Sequence, residues 1–472
     1  MDSLITRRAL LKSAAAASAA MAAPYVVSSA VLGLEGAAPP SNRIVAAHIG
    51  VGMMGTGDMQ AFMKFPDVQV IAVCDVDKKR ENVNNVVYGS EAAREIAEKH
   101  YAGKKSSGAY KGCAVYVDYR ELLEKEKGLD AVMVATPDHA HAVVSIAAMK
   151  KGKHVYCQKP LTHSVYEARQ MAEVARQSKV ATQCGTSNYT SEGAYQMREM
   201  IADGAIGPVR EVHNWSNRPV WPQGIERPTE TPPVPEGLDW DLWLGPAPQR
   251  PYHPIYLPFV WRGWWDFGTG ALGDMGCYSF DVIFRALKLA YPTKVEACCS
   301  RLHGKPMPDS FPQASIVRYQ FPGQGNGPAI QLTWYDGGLA PERPQELDAG
   351  KPLSEWNGGL LFVGEKGKML CDFVGAHPRL IPQAKMKTYT PPAKTLPRSV
   401  GHKEEWLRAI RGGEPAGANF EVAGRVCETL AVGNIALRTG KELLWDGPNM
   451  KVTNVPEANR HVRRAYRAGW TL

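Results

Sequence analysis

Apolar and polar positions divide the chain into two regimes. Between residues 44 and 184, short apolar runs at 44–49, 68–74, 115–117, 129–135, 155–157 and 180–184 alternate with segments of helical period. The run at 129–135 is almost unbroken, as a parallel strand buried on both faces requires. Helix starts are marked by Asp118 with Glu121 and by Ser164 with Glu167, the spacing of a reciprocal capping box. Strands alternating with helices in this way predict a doubly wound parallel sheet. A polar, helix-prone insertion rich in Lys, Glu and Gly occupies 78–112.

After residue 207 the period changes. Runs at 209–215, 295–302, 315–321, 330–335 and 360–363 predict a mainly antiparallel sheet, and helical patterns fall at 270–289, 402–411 and 420–438. The expected class is α/β: a parallel doubly wound domain, then an α+β domain with a large open sheet. The expected divisions are 1–40 as a leader and linker, 41–190, 191–445, and 446–472 as a C-terminal arm. Its basic stretch at 460–467 reads as lying on a neighbouring surface.

At 472 residues, 44% hydrophobic and 22% charged, the chain is long enough for two or three filled cores. The net charge of +8 comes from scattered basic residues, which excludes a nucleic-acid surface. Nine cysteines without a paired C-x-x-C spacing read as small core hydrophobes, so neither a disulfide framework nor a metal site is expected. Arg7 and Arg8 precede an alanine-rich run at 13–23, the pattern of a twin-arginine export signal. That run is too short and too weakly apolar to anchor stably in a membrane. A periplasmic or other extracytoplasmic location follows.

The chemistry begins where the first strand ends. Gly50, Gly52 and Gly55 have the spacing G-x-G-x-x-G, with Met54 inside it, and Asp75 ends the second strand about twenty residues later. The first glycine permits a tight turn, the second lets backbone approach a pyrophosphate, and the third packs helix on strand. The acid suits a ribose 2′-hydroxyl and repels a 2′-phosphate. This is a Rossmann fingerprint and calls for NAD, with NADP as the alternative. An exported enzyme meets no free pool of dinucleotide, so it must hold its own tightly. Thr136, Pro137, His139, His141, Gln158, Lys159 and Asn188 stand at successive strand ends, where such sheets bind ligands.

The glycine turn, Asp75, Thr136-Pro-Asp-His-Ala-His141 and Lys159-Pro160 resemble the glucose–fructose oxidoreductase and inositol dehydrogenase (Gfo/Idh/MocA) family over roughly residues 43 to 440. In that family the motif reads Glu-Lys-Pro, and its lysine reaches the reacting carbon and the nicotinamide. Here Gln158 replaces the acid. The resemblance also implies an Asp-x-x-x-His motif whose histidine is the base, and it implies a homo-oligomer, dimer or tetramer. The matching positions are Asp274 and Tyr278. A tyrosine titrates near 10, so Tyr278 serves as a base only if a cation such as Lys159 lowers its pKa.

Asp274, Tyr278 and Asp281 share one helical face. The segment before it carries many prolines and seven of the twelve tryptophans, Trp215, Trp221, Trp240, Trp243, Trp261, Trp264 and Trp265. It reads either as a packed lid or as a platform for sugar rings. Arg262 and Trp264 are candidates for substrate contact. The resulting expectation is an exported NAD(P)-dependent oxidoreductase acting on a sugar or glycoside hydroxyl. Two alternatives use the same site: glycoside cleavage through transient oxidation with no net redox, and a binding protein that has lost catalysis.

Overall fold

The computed structural model describes residues 43–472 except 82–84, 105–109, 302–303, 305–307, 324, 326 and 355–357. The twin-arginine segment lies outside the described residues. Strands β1 (Ile44–Ile49), β2 (Val68–Cys74), β3 (Ala114–Tyr116), β4 (Ala131–Val134), β5 (His154–Cys157) and β6 (Thr182–Cys184) form one sheet. All its pairings are parallel, and its order is β3-β2-β1-β4-β5-β6. The order reverses between β1 and β4, which opens a ligand crevice at their C-terminal ends.

Helices α1 (Met53–Phe62), α2 (Ser90–Ala102), α3 (Tyr119–Lys125), α4 (Asp138–Lys150) and α5 (Val165–Ser178) accompany these strands. The capping box at Ser164 and Glu167 forms in full, whereas Asp118 caps α3 only through the Arg120 backbone N–H, at 2.8 Å. The polar stretch at 78–112 contains α2 and a small ribbon, Arg80–Glu81 with Val87–Tyr88.

Helix α6 (Glu192–Ala202) leads into the second half. Its sheet comprises β7 (Val209–Ser216), β8 (Lys294–Cys299), β9 (Ser315–Phe321), β10 (Ile330–Tyr335), β11 (Gly358–Gly364), β12 (Gly367–Cys371), β13 (Arg379–Ile381), β14 (Leu443–Asp446) and β15 (Lys451–Val452). The order is β13-β12-β11-β7-β10-β9-β8-β14-β15. Its pairings are antiparallel except that β7 and β10 run parallel. Helix α7 (Gly270–Leu287) packs on this sheet through Phe280, whose ring centroid lies 5.5 Å from Tyr319 and 6.3 Å from Trp334.

Helices α8 (His402–Ile410) and α9 (Phe420–Thr439) return to the first half. Trp406 of α8 stands edge-on to Phe62 of α1 at 5.4 Å and tilted against Tyr156 of β5 at 5.7 Å. In α9, Gly424 lies so close to α5 that a Cβ there would stand 3.1 Å from the Ala168 carbonyl oxygen. One hydrophobic core therefore runs through both halves. The tail packs as an arm on the surface of its own chain. Arg464 pairs with the buried Glu167 at 2.7 Å, and Arg467 pairs with Asp241 at 2.6 Å.

Candidate active site

The glycine turn is built as its three positions require. Gly50 has φ +85°, and a Cβ on it would lie 2.6 Å from the Ala135 backbone. A Cβ on Gly55 would lie 2.0 Å from the Gly50 oxygen, so α1 packs on the turn only without one. Gly52 differs: a Cβ there would meet nothing within 4 Å. That open space, at the start of a helix with no side-chain cap, fits an approaching pyrophosphate. Asp75 accepts hydrogen bonds from the backbone N–H groups of Val51, at 2.7 Å, and Asp77, at 2.9 Å. Burial pushes its pKa up to about 6.

A crevice of about 330 Å³ runs along the strand ends. On one side it meets Asp75 and Tyr119, in the middle Gly52 and Met54, and on the other Thr136, Asp138 and Lys159. Pro137, Gln158 and Arg262 also line it. Its roof comes from the second half through Trp243, Phe259 and Trp261, and from the tail through Trp470.

Lys159, just after β5, meets the second half here. Its Nζ donates to Asp274 Oδ1 at 2.9 Å and to the Asp274 carbonyl at 3.2 Å. Arg262 Nε donates to the same Oδ1 at 3.0 Å, and the guanidinium stacks over Trp261 at 4.2 Å. Two cations on one carboxylate leave the cluster net positive. Burial opposes the Asp274 charge, yet Lys159 and Arg262 hold it below the usual carboxylate range. Burial likewise works against the Lys159 ammonium, but Asp274 outweighs it and keeps the lysine protonated.

Tyr278 stands beside Lys159 at the position that the family resemblance gives to the base. The Lys159 ammonium lies 4.8 Å from its ring centroid, against the π face. Burial dominates over the lysine's charge and pushes the phenol up to about 12. The expected lowering by a cation is thereby reversed.

Gln158 holds the turn before Lys159. Its amide donates to Asp58 Oδ2 at 2.5 Å, and its oxygen accepts from the Lys159 N–H at 3.0 Å. Lys403 completes the arrangement, 3.0 Å from Asp58 Oδ1. Asp138, which sequence reasoning passed over although it sits inside the quoted motif, opens α4. Its Oδ2 accepts from the Thr269 hydroxyl at 2.8 Å. Its Oδ1 and the Thr136 hydroxyl are buried without a hydrogen-bond partner. Burial pushes the Asp138 carboxyl up to about 7.

Other candidates lie off the crevice. The His141 ring stands between the carbonyls of Pro160, at 2.8 Å, and Thr136, at 2.7 Å, and ties two strand-end loops together. His139 sits between the carbonyls of Trp243, at 2.9 Å, and Phe267, at 3.3 Å. Burial lowers the pKa of His141 to about 4 and of His139 to about 3, so each ring is neutral and donates to one of its two neighbouring carbonyls. Asn188 begins a short 3-10 turn beyond β6. Asp281 pairs with Arg285 at 2.9 Å, within its own helix. Trp264 is fully buried and donates to the Ile255 carbonyl at 3.1 Å, so it cannot stack on a substrate. The tryptophan segment is a packed lid around Trp240, Trp243, Tyr256 and Phe267, and its exposed rim faces the crevice. Among the described residues, no group of three or more His, Cys, Asp or Glu side chains is placed to hold a metal ion. None of the described helices is long and apolar enough to cross a membrane.

Comparison with known proteins agrees with this geometry. Residues 44–186 match the family model described as "Oxidoreductase family, NAD-binding Rossmann fold", and residues 208–307 match "Oxidoreductase family, C-terminal alpha/beta domain", both of Gfo/Idh/MocA type. An inositol 2-dehydrogenase of Salmonella paratyphi B is 26% identical over 170 residues, 36% of this chain and 44% of the relative. A 1,5-anhydro-D-fructose reductase of Ensifer adhaerens is 38% identical over 169 residues, 34% of this chain and 39% of the relative. The chain thus spans less than half the length of these curated relatives. Among solved structures, the WlbA dehydrogenase of Bordetella pertussis in complex with NADH and UDP-GlcNAcA superposes with TM-score 0.54. It is 16% identical and covers 85% of this chain and 98% of its own. The aldose-aldose oxidoreductase of Caulobacter crescentus gives TM-score 0.52 at 15% identity, covering 85% of this chain and 99% of its own. These likenesses show the fold.

Proposed function

The chain belongs to the Gfo/Idh/MocA oxidoreductase family, and from that premise we propose that it is an NAD-dependent oxidoreductase acting on a secondary hydroxyl of a sugar or glycoside. The observation that carries this reading is the buried cluster of Lys159, Asp274 and Arg262 at one end of the glycine-lined crevice. Gly52 and the start of α1 would hold the pyrophosphate, and Asp75 the adenosine ribose. When bound, NAD supplies a nicotinamide that accepts the two electrons of an alcohol oxidation.

The protein's own part is positional and electrostatic. Lys159 donates a hydrogen bond to the substrate oxygen, and the net positive cluster stabilises the negative charge that develops on it. Asp274 and Arg262 fix the lysine so that its charge is aimed rather than solvated. The hydroxyl proton needs a group that can change charge near neutrality. Lys159 and Tyr278 both hold their own protons there, so Asp138, poised at about 7 with an unpartnered Oδ1, takes this role. The roof of Phe259 and Trp261 excludes water from the reacting carbon. Asp75 favours NAD over NADP. The twin-arginine pattern supports work outside the cytoplasm, with the cofactor carried along and regenerated within each cycle.

The test is to purify the protein, denature it, and identify and quantify any dinucleotide released. The loaded protein is then mixed with sugars and glycosides while the reduced-nicotinamide band is followed. Near-stoichiometric NAD and a sugar-dependent rise in that band are the expected outcome. Released monosaccharide without accumulated reduced cofactor identifies the transient-oxidation glycosidase instead. Failure to bind any dinucleotide sinks the proposal.

A further inference from the structure

We propose that Trp470, on the C-terminal arm, forms a wall of the adenosine end of the crevice and slows the release of a bound dinucleotide by stacking beside its base. This rests on the reading of the crevice as an NAD site. The end in question is set by topology. In a sheet of order 3-2-1-4-5-6 the first three strands serve the adenosine half and the last three the nicotinamide half. Trp470 lines the crevice together with Asp75 at the end of β2 and Val117 and Tyr119 just after β3, whereas Lys159 follows β5. The Trp470 and Tyr119 ring centroids are 6.2 Å apart, and the Arg120 guanidinium covers the indole at 4.9 Å.

The arm is fastened on both sides of this indole. Before it, Arg464 pairs with Glu167 at 2.7 Å and also donates to the His139 carbonyl. The Tyr466 hydroxyl donates to the same Glu167 oxygen at 2.5 Å. Arg467 donates to the Gly245 carbonyl at 2.5 Å and pairs with Asp241. After it, Lys150 Nζ donates to the Leu472 carbonyl at 2.9 Å. Glu167 is 1% exposed and satisfied by both the arm and the α5 cap. A segment held this firmly presents its one tryptophan to the crevice. An aromatic wall beside a nucleobase gains stacking that is sequence-tolerant and substantial.

The partly exposed position of Trp470 means that its removal leaves the core intact, and Trp470→Phe retains an aromatic face. Each protein is loaded with NADH, and release is timed by nicotinamide fluorescence after a chase with excess NAD. Affinities for ADP-ribose and for nicotinamide mononucleotide are measured separately. Relative to wild type, W470A should release NADH about tenfold faster or more and lose a similar factor for ADP-ribose. Its affinity for nicotinamide mononucleotide should stay within about twofold, and W470F should lie close to wild type. Equal NADH release from W470A and wild type overturns the inference while leaving the crevice reading in place. Equal weakening of the two half-cofactors overturns the adenosine assignment. A wild-type protein that binds none of the three probes overturns both readings.

Discussion

The side-chain amide of Gln158 donates a 2.5 Å hydrogen bond to Oδ2 of Asp58, a contact between the loop after β5 and helix α1. This pairing accounts for the amide where the family motif has an acid. A carboxylate at 158 would face the Asp58 carboxylate in a buried setting with one lysine, Lys403, between two negative charges. The consequence is directly measurable. Gln158→Glu should lose roughly 3 kcal/mol of stability at pH 8. The new carboxyl would have a folded pKa above its unfolded value, so the loss should shrink as pH falls toward the unfolded value of about 4. Thermal melts of both proteins across pH 4 to 8 test this, and a pH-independent difference contradicts it.

Lys159→Ala separates binding from chemistry. Arg262 still holds Asp274, so the fold should survive with a melting temperature within a few degrees of wild type. Turnover should fall about 10²–10⁴-fold while the co-purified dinucleotide stays near its wild-type amount. Loss of the cofactor along with activity would show that the lysine is a binding residue instead.

Asp138 sets a pH signature. Its folded pKa of about 7 stands above an unfolded value of about 3.9, so its contribution to stability is complete below about 4 and is lost as pH rises through 7. Asp138→Asn keeps the neutral shape and cannot ionise. The variant should match wild type near pH 4 and exceed it in stability at pH 8. Burial also brings Asp336 and Glu428 to about 7, so it is the difference between the two melting profiles that isolates Asp138. Turnover should drop about 10²-fold, and the rate profile should lose its inflection near pH 7. An unchanged rate profile assigns the proton to another group.

Two glycines of the turn, Gly55 and Gly52, predict opposite outcomes for one added methyl. Gly55→Ala should cost about 3 kcal/mol or more, because the methyl meets the Gly50 oxygen. Gly52→Ala should fold with an unchanged melting temperature yet bind NAD more than about tenfold less tightly, because its methyl occupies the open space beside α1. Calorimetry and NAD titration on the two variants distinguish them. Equal NAD affinity in Gly52→Ala removes the pyrophosphate from this turn.

Local patterns made the first half legible. Six apolar runs, two capping signals and the glycine spacing are each encoded within a few residues, and the parallel sheet follows from their alternation. Lys159 and Asp274 were each visible in the sequence, but their ion pair joins residues 115 apart and depends on how α7 meets β5. Burial at Tyr278 is something no spacing reports: the lysine is present, but desolvation outweighs it and raises the phenol. His139 and His141 lie at the right strand ends yet turn inward, each ring held between two backbone carbonyls of the fold. Trp470 carries no periodic signal at all. Only the path of the arm across α5 brings it to the crevice.

Glu167 is a shared component in this construction. One of its carboxylate oxygens finishes the cap of α5, and the other takes both Arg464 and Tyr466 of the arm. A part that serves two joints cannot be altered for one alone. Losing this carboxylate would loosen a helix start and an arm anchorage in the same step, so the two stand or fall together.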